Sequence, residues 1–347
     1  MGKPGFVKMM RTECKPARTA GWRRPRPEPG TGKACLHPAG HRWLVFLVLV
    51  LGATSAARAE PLAGRIWKPA EARFAAPDEV IAAARAAPFV LLGETHTIAR
   101  HHALQARLIR AIADKGRQPA IVLEMVARDR QGDIDAWRRA DSPDAAAFGA
   151  AVEWRERGWP PWSAYRPIVE AALAHGLPVQ AGGPASDLSR RVAEAGLAGL
   201  ADRTDRAFPG LETPLDAAAE RRLLDTLTRA HCGLPEHAPL DRMIAVQRLR
   251  DAAMAHTMLE ADSTSGAVLI AGRGHVRGDY GVPVYLQRGA PERDFVTIAF
   301  LGTANRPSIA DQREAAGGTL PFDYVWFTEG GATAPDCSAD RSATPGE

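Results

Sequence analysis

Four cysteines among 347 residues, two of them (Cys14 and Cys35) near the N-terminus, rule out a disulfide-built scaffold. Aromatic residues are sparse, at 6% of the chain. The longest apolar run, residues 43–51 (WLVFLVLVL), falls short of the ~20 residues that a membrane-spanning helix needs. A basic body is missing too, although the whole chain carries +4. Residues 1–59 hold 11 Lys/Arg against 2 Asp/Glu, which leaves 33 basic and 38 acidic residues over 60–347. The body is therefore mildly acidic, and a nucleic-acid partner is not expected.

What is present at the N-terminus reads as a leader. Arg42 precedes the apolar run, and a stretch of small residues ends in Ala57-Arg58-Ala59. A basic flank, a short apolar core and an A-x-A site are the pattern of a secretory signal peptide. The expectation is cleavage near Ala59 and a periplasmic mature chain, with an N-terminal membrane anchor as the competing reading. No Cys closely follows the apolar run, so a lipid anchor is not expected. In an oxidising compartment Cys232 and Cys337 are expected either to form a disulfide tying the tail to the body or to remain two free thiols. The whole chain is 46% hydrophobic and 24% charged, ample for a packed core.

Four short, nearly continuous apolar runs read as strands covered on both faces: 89–92 (FVLL), 120–123 (AIVL), 177–181 (LPVQA) and 267–271 (AVLIA). Helical patterns separate them, over 99–115, 163–175 and 240–261. This β–α alternation predicts an α/β fold, a mostly parallel sheet with helices on both faces. The expected organisation is a leader (1–59), one α/β domain over 60–328 with its core at 85–300, and a Gly/Ala/Pro/Ser-rich tail (329–347) expected to be disordered. Insertions at 127–162 and 185–240 are expected to cap the sheet. A last strand pair is expected over 282–286 and 295–300.

Each predicted strand ends in polar residues or glycine. The first runs into Gly93-Glu94-Thr95-His96, the second into Glu124, the third into Gly182-Gly183, and the fourth into Gly272-Arg273-Gly274-His275. Parallel strands place such ends on one edge, where open α/β sheets bind ligands. Glu94, His96, Glu124 and His275 are therefore expected to form one site. Two carboxylates and two imidazoles suit a divalent metal or general acid–base work. His101 is expected either to touch the ligand or simply to start its helix. His256, between Met254 and Met258 at helical spacing, reads as structural, and His231 with Cys232 offers too few ligands for a closed metal site. Trp154, Trp159 and Trp162 are either cap packing or an aromatic wall for a flat ligand.

The segments LLGETH, IVLEM, RGWPPWSAYRPIVEAALAHGLPV, QRLRDAAMAHTM and LIAGRGHVRGDYGVP, in that order over about 85–300, resemble the ChaN-type haem-binding uptake proteins of the Tiki superfamily. The superfamily's two G-x-x-H motifs match Gly93–His96 and Gly272–His275, and its strand-end glutamate matches Glu124. The resemblance implies haem binding in iron uptake, a homodimer around haem and an outer-membrane iron transporter as partner. It makes Tyr or His the iron-contacting type, with Tyr280, Tyr165, His96 and His275 as candidates and Arg273 and Arg277 as partners for the propionates. Other branches of the superfamily are metal-dependent peptidases and erythromycin-esterase-like enzymes. The alternative is thus a hydrolase using Glu94, His96, Glu124 and His275 on a metal or a water. The chain departs from the family pattern at Gly182-Gly183, where many members carry Asn, and in having no lipid-attachment Cys.

Overall fold

Residues 61–114, 116–200, 208–230, 239–261 and 265–331 are described in a computed structural model. The leader, Cys232, Cys337 and the end of the tail lie outside these residues. From the N-terminal side, β1 (Ile66–Lys68) and β2 (Arg73–Ala75) form a short hairpin that leads into α1 (Pro77–Ala86). There follow β3 (Phe89–Glu94), α2 (Ala99–Ala113), β4 (Ala120–Ala127), α3 (Gln131–Arg138), α4 (Ala145–Ala151), α5 (Trp162–Ala174) and β5 (Val179–Gly183). The chain continues through α6 (Ser186–Ala195), α7 (Ala217–Ala230), α8 (Leu240–Ala261), β6 (Ala267–Gly272), α9 (Val282–Gly289), β7 (Phe295–Gly302), α10 (Ile309–Ala315) and β8 (Tyr324–Thr328).

The strands form one sheet in the order β2-β1-β8-β7-β3-β6-β4-β5. Strands β8 through β5 in that order are mutually parallel, and only the β1–β2 hairpin runs against its neighbours. Every residue of β3 and β6 is buried, which is why both read as unbroken apolar runs rather than alternating ones. One face of the sheet packs against α1, α2 and α5 through Val90, Leu92, Ile121 and Leu123. The other packs against α6, α8 and α9 through Leu91, Val122 and Leu269. At the far edge from the strand ends, Arg117 donates to Pro88 O at 2.6 Å and Ser265 O at 2.7 Å, tying the starts of β3 and β6 together. No helix among the described residues is long and apolar enough to cross a membrane.

The fold is α/β as the sequence predicts, with one correction. Residues 282–286 are not a strand but the first turns of α9. Gly281 precedes the helix and Pro283 lies in its first turn, where the missing N–H costs nothing. Val282, Tyr285 and Leu286 are buried at helical spacing. The hairpin and β8 carry no strong periodic signal and extend the sheet beyond β7. The insertion at 127–162 holds α3 and α4, and that at 185–240 holds α6 and α7.

Candidate functional site

The carboxyl ends of β3, β6 and β4 lie side by side, with Glu94 opposite Gly272 and Leu123 opposite Ile270. Two clusters of hydrogen-bonded polar groups grow from these ends.

The first is centred on Glu94, the last residue of β3, whose side chain is buried. The Tyr165 hydroxyl donates to its Oε1 at 2.6 Å, and His96 Nδ1–H donates to the same atom at 2.8 Å. His102, from the first turns of α2, lies with Nε2 against Oε2. Burial alone would raise the Glu94 carboxyl, but its bonds to His102 and His96 outweigh that and hold it below its ordinary value. The His102 ring lies on Tyr165, with centroids 3.8 Å apart. His96 is the open member of the group, its side chain 33% exposed, with its ring edge-on to Trp159 at 5.1 Å. Burial lowers the His96 pKa, but the bond to Glu94 and the field of Glu124 raise it above its ordinary value overall. Its Nε2 has no hydrogen-bond partner among the described residues. That nitrogen faces Gly272, where a Cβ would lie only 2.9 Å away. Glycine at the end of β6 is thus what lets the imidazole lie against the backbone.

The second cluster is centred on Glu124. Its Oε2 accepts from Gly272 N–H at 2.6 Å, and its Oε1 accepts from Arg250 Nη2 at 2.5 Å and from His275 Nε2 at 3.1 Å. His275 Nδ1–H donates to Asp251 Oδ1 at 2.6 Å, and the Gln247 amide lies 2.9 Å from the same nitrogen. Burial would lower His275, but Glu124 and Asp251 together push it up to about 9. Burial would raise Glu124, yet the His275 and Arg250 charges hold it well below its ordinary value. Asp251, fully buried, is pushed up to about 6, first by burial. Near neutral pH this is a closed quartet of two anions and two cations, Glu124, Asp251, His275 and Arg250.

The four residues expected to share a site are therefore divided between two adjoining clusters, linked by Gly272, which contacts Glu124 and lies under His96. Tyr165 belongs to the first cluster. Arg273 follows β6 and donates through Nη1 to Thr95 Oγ1 at 2.7 Å. Arg277 and Tyr280 are not brought to either cluster. Arg277 makes a two-pronged pair with Asp279, at 2.9 and 2.8 Å, and caps Ala316 O at 3.0 Å. Tyr280 is 1% exposed, packs with Leu215, Ala219 and Leu223, and donates to Thr226 Oγ1 at 3.1 Å. Both residues fasten α7 and the α10 end to the loop that carries His275. His101 is a loop anchor: its Nδ1 accepts from Thr95 N–H at 3.0 Å and its Nε2 donates to Thr328 Oγ1 at 2.9 Å. Burial keeps it neutral, with a pKa of about 4.

Sequence reading missed Gln247, Arg250, Asp251 and the role of His102. The first three lie on one face of α8 at i, i+3 and i+4. The signal was a run of polar residues on the inward side of a helix that is otherwise Ala- and Met-rich. Among the described residues, no group of three or more His, Cys, Asp or Glu could hold a metal ion. The reason is chemical: His275, Glu124 and Asp251 satisfy one another as ion pairs, and His102 is turned onto Glu94.

A family profile described as haem-binding uptake, Tiki superfamily, ChaN matches residues 80–286, more than half of the chain. The chain belongs to the ChaN family. Among solved structures, ChaN of Campylobacter jejuni, described with cofacial haem binding, is similar at 18% identity. The match covers 75% of this chain and 95% of that one, with a TM-score of 0.59. An erythromycin esterase in its open conformation matches at 15% identity, over 65% of this chain and 72% of that one, with a TM-score of 0.36. At such identities the likeness to the Campylobacter ChaN speaks for the fold alone. No curated protein sequence matches this one.

For a ChaN-family chain the question is whether the donor set fits haem iron. Histidines that bind metals typically anchor their second nitrogen on a carboxylate or carbonyl, which fixes the ring. His96 has that arrangement, with Nδ1 on Glu94 and no hydrogen-bond partner at Nε2 among the described residues. The two tyrosines expected from the sequence are buried, and burial raises both phenols above their ordinary value, so neither is a phenolate near neutral pH. The donor set therefore fits through a single atom, His96 Nε2.

Proposed function

We propose that this ChaN-family chain is an exported haem-binding protein of haem or iron uptake, holding the tetrapyrrole at the carboxyl edge of its sheet with His96 Nε2 towards the iron. Family membership supports the ligand class. The observation that carries the residue assignment is the His96 ring itself, partly exposed, oriented by Glu94 and Tyr165, and with no hydrogen-bond partner at Nε2 among the described residues. Haem would supply an iron centre for uptake. The chain's own part is to orient one imidazole, to offer the Trp159 ring beside it as flat apolar surface, and to keep the neighbouring carboxylates engaged elsewhere. The leader pattern at 42–59 supports a periplasmic location, which cell fractionation would check. A homodimer around haem and an outer-membrane iron transporter complete the proposal. The cofacial haems described for the Campylobacter protein motivate the former.

Titrating the purified protein with haemin tests the reading. The expected result is a shifted Soret band that is lost in His96→Ala and retained in Tyr280→Phe. A titration indistinguishable from haemin in buffer would remove it.

A second reading rests on the same ring. An imidazole oriented by a buried carboxylate at a strand edge is also the arrangement of a general base. An esterase or peptidase activity in metal-free, haem-free protein that disappears in His96→Ala would favour hydrolysis over carriage.

A further inference from the structure

The cations at the carboxyl edge are, with few exceptions, answered by acids. Arg250 meets Glu124, Arg277 and Arg222 meet Asp279, Arg128 meets Glu260, and Arg130 meets Glu153. Arg273 is different. Its backbone N–H donates to Glu94 O at 2.8 Å, which fixes the residue beside the β3 end. Its guanidinium is partly buried and reaches only a neutral hydroxyl, Thr95 Oγ1, forming no ion pair among the described residues. Arg306 lies on the loop after β7, exposed, with its backbone N–H bonded to Thr303 O and its carbonyl accepting from Gln312. Its side chain forms no hydrogen bond or ion pair among the described residues. Strands β7, β3 and β6 are consecutive and parallel, so the loops carrying Arg306, Thr95 and Arg273 leave the sheet side by side.

We propose that these three loops form an oxyanion site, with Arg273 and Arg306 as its cations and Thr95 as a positioning hydroxyl, for a carboxylate or phosphate group. A partly buried cation without a counter-charge is costly unless an anion joins it. Guanidinium groups meet both kinds of anion through two parallel N–H bonds. Burial, and then the charge of Arg306, already hold Arg273 below the ordinary guanidinium value, with Arg277 adding to the repulsion. An incoming anion would offset the repulsion from both arginines. Arg277 is not part of the site, because Asp279 satisfies it. The anion is either free in solution or a carboxylate of the tetrapyrrole proposed above. Only the second source rests on that reading, and His96 follows Thr95 directly in the chain.

Two measurements on the full chain, each repeated in R306Q and R273Q, test the site. The first is thermal melting in inorganic phosphate against chloride at matched ionic strength. The second compares haemin with haem dimethyl ester, whose propionates are capped. The expected results are a phosphate-dependent rise of about 3 °C, a roughly tenfold preference for haemin over the ester, or both, each lost in the two variants. A phosphate response alone identifies a free anion as the occupant, and an ester penalty alone identifies the tetrapyrrole carboxylate. Phosphate stabilisation without any haemin spectrum would sink the haem reading and leave the site standing. The site is overturned if neither response occurs, or if whichever response occurs survives in R306Q, an exposed position whose loss leaves the core intact.

Discussion

Asp251 is fully buried, yet only one of its oxygens is satisfied: Oδ1 grips His275, while Oδ2 has no hydrogen-bond partner among the described residues. The residue therefore serves the imidazole beside it rather than its own stability. Asp251→Asn should lower the His275 pKa from about 9, as followed by ring-proton NMR. It should also cost about 3 kcal/mol in urea unfolding, because it breaks a buried charge pair. Gly272→Ala acts on the other cluster. Its added methyl would sit 2.9 Å from His96 Nε2. Haemin affinity should fall steeply there, while the unfolding midpoint moves far less than in Asp251→Asn. Protonation competes with iron for the same nitrogen. With the His96 pKa above 6.5, haemin binding should weaken as pH falls through a midpoint above 6.5, as followed at the Soret band.

At the scale of elements, α7 is held to the His275 loop by few contacts of known kind. Arg222 Nε donates to Asp279 Oδ2 at 2.8 Å, Tyr280 donates to Thr226, and a small apolar cluster lies between. Asp279→Ala removes the shared acid of Arg222 and Arg277. Amide exchange over 217–230 should accelerate while the amides of β3 and β6 stay protected. A uniform change across both would contradict a local clamp. This scale also marks how far the sequence could be read. Strands β3, β4 and β6 were legible because burial on both faces writes an unbroken apolar run, β5 by a shorter run broken at Gln180, and the polar ends of β3, β4 and β6 drew attention to Glu94, His96, Glu124 and His275. Residues 282–286 were misread because a short run of Val, Tyr and Leu has no period long enough to separate strand from helix. Pro283 was the better guide. Gln247, Arg250 and Asp251 were invisible because a helix that buries polar residues gives the same composition as one that exposes them. Tyr280 and Arg277 drew attention by lying near His275 in the chain, but only coordinates could show that their partners are Thr226 and Asp279.

Across the whole molecule, the paired charges make stability depend on pH. His275 has a folded pKa raised to about 9 from an ordinary 6.5, so its contribution is full below 6.5 and is lost as pH rises through about 9. Glu124 runs the other way: its folded value lies well below 4.5, so its contribution is present above 4.5 and is lost in acid. The melting temperature should therefore fall between pH 7 and pH 10, and His275→Gln should flatten that slope while lowering the plateau. A slope unchanged in the variant would show that another group governs the alkaline limb.

The ladder pairing of β3, β6 and β4 has a practical corollary. Glu94 is opposite Gly272, and Gly272 in turn donates to Glu124, so the site is dimensioned by hydrogen-bond rungs and not by loop lengths. Anyone grafting this chemistry onto a different scaffold could shorten or replace α3, α4 and α6, but would have to keep α2 and α5, which bring His102 and Tyr165 to Glu94. The three strands would have to travel as a single block, since a slip of one rung in β6 would put a side chain where the imidazole now rests.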